Sequence, residues 1–415
     1  MAQMLLEIFP EVTAQLILAF LPYHEYVHWV PVRACLSQPS SPRNAAREQL
    51  RHYWAWKHRL APTPPPIPPF FDELSPGGSE ALMIAAFVPA DVEGQTKLTR
   101  AMRSYSPHQT VIFVSGPLTT QLHPNFLSCS LQTTIIFVLP GVRQVGVGWL
   151  ERSKNLQSVH FANLTALTSV GAGWLSRCHN LTHPSFLGLV SLTTVGDAWM
   201  FLCRDLTHPS FQGLCSLTHV GHNWMAWCSA LVAPSFMGLG SLLTIGDVWM
   251  GICDNLMQPS FTGLHSLTAI GDSWMMSCAG IIQPSFMGLD ALTSIGDDWL
   301  GMCESLMSPC FAGLSKLVTV GSKWMVMCAN LVTPCFSDLH ALTSIGDYWM
   351  FFCESLVTLS FNGLGALTTV GSNWIGMCSS LTTLCLSELS ALVAVGECFA
   401  LECNKLDSSS RIFFC

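Results

Sequence analysis

Charge is what this sequence has least of. Only 11% of its 415 residues are charged while half are apolar, too few polar side chains to cover one sphere, so burial by stacking is expected. Basic residues are scarcer still beyond the first quarter: residues 1–105 carry nine Lys/Arg and nine Asp/Glu, residues 106–415 nine and seventeen. A phosphate-binding surface needs clustered Lys/Arg, so nucleic acid is excluded as a partner. No run of about eighteen uninterrupted apolar residues occurs, and none is expected to span a membrane. The apolar start lacks a basic segment and is broken by Glu7 and Glu11; it reads as no secretory signal, and the expected location is intracellular, cytoplasmic. P-loop, H-E-x-x-H, G-x-S-x-G and strand-associated G-x-G-x-x-G patterns are missing, so no enzyme and no cofactor are expected. The eighteen cysteines contain no C-x-x-C, which removes the zinc ribbon and the thioredoxin-type site.

What is present is a repeat. Tryptophan recurs every 25 residues from Trp149 to Trp374, and Phe399 takes the next place. Glycine precedes each aromatic by three, and from Trp174 onward cysteine follows by four, from Cys178 to Cys403. Eleven units span residues 131–405, with the pattern L-x-x-(P/L)-x-F-x-G-L-x-x-L-T-x-(V/I)-G-(D/S)-x-W-M-x-x-C. Apolar residues about three apart, without the cadence of a long helix, suit a chain that turns a residue inward at each corner and stacks coil on coil.

The last units, "LVTLSFNGL" at 356 and "LTTLCLSEL" at 381, show L-x-x-L-x-L strand signatures. With second halves such as "LTSIGDDWLGMCESL" at 292, they resemble the leucine-rich repeat family and its BspA-like, Treponema-type members over residues 131–405. Tryptophan stands where that pattern has a small alanine, and the units are longer before the Ile-Gly step. The resemblance implies an α/β leucine-rich-repeat solenoid, with short parallel strands on one side and short helical or irregular segments on the other. It also implies a protein-binding scaffold, or alternatively a cell-surface adhesin or antigen.

Seven units carry proline at the fourth position, from Pro184 to Pro334. Each lacks an N–H, so a ladder bond is lost per coil, and the strand there must be short or polyproline-like. The Gly-Asp step, as at Asp197, Asp247 and Asp272, is expected to cap a short helical turn in preference to holding calcium. The cysteine ladder reads as reduced, small core hydrophobes. His183 and His208 share a repeat position without a third ligand, so no metal site is expected.

Positions three, five and seven should point outward on the strand side and form a concave face of small, nearly uncharged side chains. The partner-binding candidates on it are His183, Ser185, His208, Ser210, Ser235, Gln258, Ser260, Gln283 and Ser285, with Met237 and Met287 adding adaptable apolar contacts. Before the repeats, residues 1–60 read as helical. Within residues 9–35, Phe9, Pro10, Ile17, Leu18, Leu21 and Val32 resemble the F-box, whose members bind a Skp-type adaptor of ubiquitin ligases; the resemblance implies a substrate-recognition subunit. Residues 61–79 contain a proline-rich linker, 80–130 are expected to cap the first coil, and 406–415 form a tail.

Overall fold

The computed structural model describes residues 29–31, 83–103, 110–116 and 118–407. Two parallel ladders run along it. The first joins β1 (Trp29–Pro31), β2 (Met83–Phe87), β3 (Thr110–Val114), β5 (Thr134–Val138), β7 (Ser158–Ala162) and β9 (His183–Ser185) in that order. All its pairings are parallel except the antiparallel β1 edge. The second ladder has twelve strands of two residues, from β4 (Gln121–Leu122) through β6 (Gln144–Val145) and β8 (Ser169–Val170) to Ala394–Val395. Each coil therefore supplies a rung to the second ladder, while the first continues past β9 as isolated bridges and the pair Thr358–Ser360 with Thr383–Cys385. Helix α1 (Val92–Met102) is the one α-helix among the described residues; it is capped by Asp91, whose Oδ1 accepts from the Gly94 N–H at 2.7 Å.

Within the segment expected to be helical, residues 29–31 instead form the strand β1. Pro31 cannot continue a helix, and it biases the residue before it toward extended backbone. The rest of residues 1–60 lies outside the described residues.

The proline positions now have a physical account. Along a parallel strand, successive residues direct their backbone groups to opposite neighbours. Ser235 donates its N–H to the Pro209 carbonyl at 2.9 Å, so position five faces the preceding coil and position four the following one. A proline at position four therefore removes the bond to the next coil. Val159 has its N–H, and β7 pairs with β9; Leu359 has its own, and Thr358–Ser360 pairs with Thr383–Cys385. Between these, the ladder thins to isolated bridges such as Ser235↔Ser260 and Cys310↔Cys335. The proline rings from Pro184 to Pro309 are buried, in the slot that Leu359 and Leu384 fill later.

Aromatic stacking runs the length of the coil array. Successive tryptophans from Trp149 to Trp374 lie 5.1–5.6 Å apart with ring planes within 1–8°. A parallel phenylalanine column runs from Phe161 to Phe361, and Trp and Phe meet edge to face, as for Trp274 and Phe286 at 5.6 Å and 68°. All ten indoles are fully buried. From Trp149 through Trp349 the indole Nε1 has no hydrogen-bond partner, a cost of about 1–3 kcal/mol each that the buried ring area must offset.

The segment around each tryptophan is irregular and contains no helix. Ala198, Met200 and Leu202 have φ of 58°, 53° and 57°, and the same alternation recurs coil after coil. Alternate peptides reach across coils: the Ala198 and Leu202 N–H groups donate forward to His222 and Ala226, and that of Met200 donates back to Trp174. Left-handed non-glycine residues cost about 1 kcal/mol or more each, and here inter-coil bonds hold them in place.

The capping role expected of the aspartates is overturned for the same reason. There is no helix to cap, and each carboxylate instead accepts from the backbone one coil on. Asp247 Oδ1 takes the Asp272 N–H at 2.9 Å, Asp272 Oδ1 that of Asp297 at 2.9 Å, and Asp297 Oδ1 that of Ser322 at 2.7 Å. Glycine precedes this ladder because the coils touch there: a Cβ on Gly271 would lie 2.8 Å from the Asp247 nitrogen.

Candidate functional site

The partner-binding candidates lie on the first ladder. His183, His208, Ser210, Ser235, Gln258, Ser260, Gln283 and Ser285 are exposed and Ser185 is half-buried, so the alternation of a strand holds even where proline thins the ladder. Met237 and Met287 at position seven are half or more exposed, at 50% and 58%. The adaptor-binding candidates Phe9, Pro10, Ile17, Leu18, Leu21 and Val32 lie outside the described residues.

At the start of this face His160 and His183 lie close together. The Ser158 hydroxyl is 2.8 Å from His160 Nε2 and 3.3 Å from the His183 carbonyl, and the Thr182 hydroxyl is 2.7 Å from His183 Nδ1. Burial, and then the neighbouring His183, lowers the His160 pKa. A hydroxyl beside an imidazole is one part of a nucleophilic site, and among the described residues no acidic side chain pairs with His160. No group of three His, Cys, Asp or Glu converges to hold a metal ion among the described residues.

Two apolar surface series emerge once the coils are stacked. Position two, next to the polar face, carries Met257, Ile282, Met307, Val332 and Val357 on consecutive coils, all exposed except the half-buried Val332. Their backbones are in register, with Met307 donating to Ile282 at 3.1 Å and Val332 to Met307 at 2.8 Å. The second series stands three residues after each tryptophan and includes Trp227 at 46% exposure, Met302, Met327 and Phe352. Within the repeat both positions are only variable "x" sites. The signal that could have found them was apolar content persisting at one variable position over consecutive units.

Along the interior, the thiols from Cys178 to Cys378 are free and nearly all fully buried, and each donates to a carbonyl 28 residues earlier, as Cys303 Sγ does to Met275 at 3.2 Å. Burial pushes the Cys178, Cys228 and Cys353 thiols up to about 12, so these groups are structural and unreactive. Cys335 differs: it is exposed, and the Ser337 hydroxyl 3.5 Å away lowers its pKa.

Comparison with known proteins agrees with this geometry. The family described as "BspA type Leucine rich repeat region" matches residues 123–257 and 268–407, with six copies. None of the curated proteins matches the chain. Among solved structures, the chain is similar to a leucine-rich repeat protein from Bacteroides ovatus, at 17% identity over 78% of this chain and 88% of that one, with a TM-score of 0.36. It is also similar to a leucine-rich cell surface protein from Faecalibacterium prausnitzii, at 14% identity, 77% and 91% coverage and a TM-score of 0.36. A third is the pneumococcal vaccine antigen PcpA, at 13% identity, 72% and 75% coverage and a TM-score of 0.32.

Proposed function

The chain belongs to the BspA-type leucine-rich repeat family, and from that premise we propose that it is a non-catalytic recognition protein binding a partner protein on the strand side of its solenoid. The observation that carries this reading is the uninterrupted apolar series from Met257 to Val357 beside the polar series Gln258, Gln283, Ser260 and Ser285. Apolar anchors rimmed by small hydrogen-bonding side chains are the composition of a protein interface. Several coils at about 4.8 Å each give such a strip the length of a standard contact. Methionines at two of the five positions let the strip adapt to its partner's shape.

Family membership supports an adhesin-type setting better than the ubiquitin-ligase reading. The matched segment starts at residue 123 and leaves the F-box-like residues 9–35 without support. The buried thiol ladder is compatible with either compartment, because thiols with pKa near 12 stay inert in oxidising surroundings.

Photo-crosslinking from Ile282 and Met307 in the full chain on intact cells tests the proposal. One protein captured from both positions, and lost in the Met257→Glu/Ile282→Glu/Met307→Glu variant with an unchanged circular dichroism spectrum, is the expected result. Capture that survives these substitutions would move the binding site elsewhere. Protease shaving of the same cells separates the settings, since only a surface protein is cleaved.

A further inference from the structure

A largely apolar column on the tryptophan side has an order that complements its own reverse. It stands three residues after each tryptophan, every member has φ of 55–64° between Leu202 and Met377, and each N–H is fixed to the next coil, as Trp227 is to Gly251 at 2.9 Å. The side chains are thus presented from a rigid backbone. Reversed about a point between the coils of Trp274 and Trp299, the column sets Trp227 against Phe352 and Ile252 against Met327. At the centre, small Ser277 meets Met302. At its ends, exposed Arg177 meets exposed Glu402, and neither makes an ion pair within the chain among the described residues.

The adjacent column, two residues after each tryptophan, obeys the same reversal independently. Phe201 falls opposite Gly376, Phe351 opposite Ala226, and Met276 opposite Gly301. In each pair a half-buried large side chain faces a buried residue with little or no side chain, so bumps meet hollows. A two-fold axis lying in the contact plane, across the solenoid, reverses the coil order while keeping each column opposite itself, which is the symmetry of an isologous dimer.

We infer that the tryptophan side of the solenoid binds a second copy of this chain, antiparallel, about a two-fold axis between the coils of Trp274 and Trp299. Ten coils, from that of Arg177 to that of Glu402, at about 4.8 Å make the contact about 48 Å long, and with a width of about 15–20 Å each copy covers roughly 700–950 Å², close to the roughly 800 Å² per partner of a stable complex. Trp227 and Phe352 are the anchors, and the Arg177–Glu402 pairs at both ends fix the direction. This contact is separate from the strand-side face, so either can fail without the other.

Analytical ultracentrifugation of the purified full chain reads the result. A dimer is expected, with Trp227→Glu raising the dissociation constant at least about thirtyfold. Arg177→Glu and Glu402→Arg should each weaken the dimer, and the double reversal should restore it; these surface changes leave the core intact if Trp227→Glu does not fold. A photo-crosslinker in place of Trp227 should capture Phe352 of the other copy, which within one chain lies five coils away. A monomer at about 100 μM, a double reversal no better than either single change, or cross-links from 227 to 227 would overturn the inference.

Discussion

Replacing Trp274 by phenylalanine should cost far less than its complete burial suggests. The indole is stacked at 5.4 Å on both Trp249 and Trp299 and is edge-on to Phe286. Truncation to alanine removes nearly all of this, and about 3–5 kcal/mol is expected. Phenylalanine keeps the six-membered ring and loses about three ring atoms, roughly 2 kcal/mol of transfer free energy. It also removes a buried N–H that has no partner, returning about 1–3 kcal/mol. The net effect of Trp274→Phe is thus within about 1 kcal/mol of zero, in either direction. Phe399 already occupies this slot in the last unit, half-buried and tilted against Trp374 at 5.0 Å. Urea denaturation gives the midpoint, and amide exchange around residues 249–300 reports local opening, because a solenoid need not unfold as one unit. If Trp274→Phe costs 3 kcal/mol or more, as much as alanine, the indole N–H is not an unpaired burden and the reasoning fails.

Asp272→Ala should lose about 1 kcal/mol by freeing the Asp297 N–H, while Asp272→Asn, which keeps the accepting oxygen, should be near neutral in chemical denaturation. Pro259→Leu supplies an N–H to the following coil at the cost of about 0.4–1 kcal/mol of unfolded-state entropy. Its global stability should therefore change little, while an exchange-protected amide appears at residue 259; an unprotected one would contradict the ladder argument. Burial raises the Cys178, Cys228 and Cys353 thiols from 9.0 to about 12. Their contribution is complete below the ordinary thiol value and is lost as pH rises from about 9 toward 12, up to about 4 kcal/mol per thiol. Denaturation midpoints across that range should fall, less steeply in Cys228→Ala. Exposed Cys335 should react with a disulfide reagent before the other thiols, and Ser337→Ala should slow it.

Much of the coil was legible because its determinants are local and repeated. The Trp, Phe, Leu and Cys columns are all inward, and the fourth-position proline weakens its strand, as the missing N–H requires. The aspartate was misread because Gly-Asp before an apolar run looks like a helix start, whereas its acceptor serves a peptide 25 residues away. The apolar surface positions on the strand side and on the tryptophan side were hard to read for a related reason. Within one unit Met257 or Trp227 is an unremarkable variable residue, and it becomes part of a strip only when neighbouring coils place the same position alongside it.

The sequence alone determined the period, the solenoid and which columns face inward, since a 25-residue repeat of apolar side chains has one economical way to bury them. Only the tertiary structure decided where backbone groups find partners: aspartate to the next coil, thiol to a carbonyl 28 residues back, and left-handed peptides alternately forward and backward. Those bonds join residues whose closeness exists only once the coils stack, and so does the surface available for recognition.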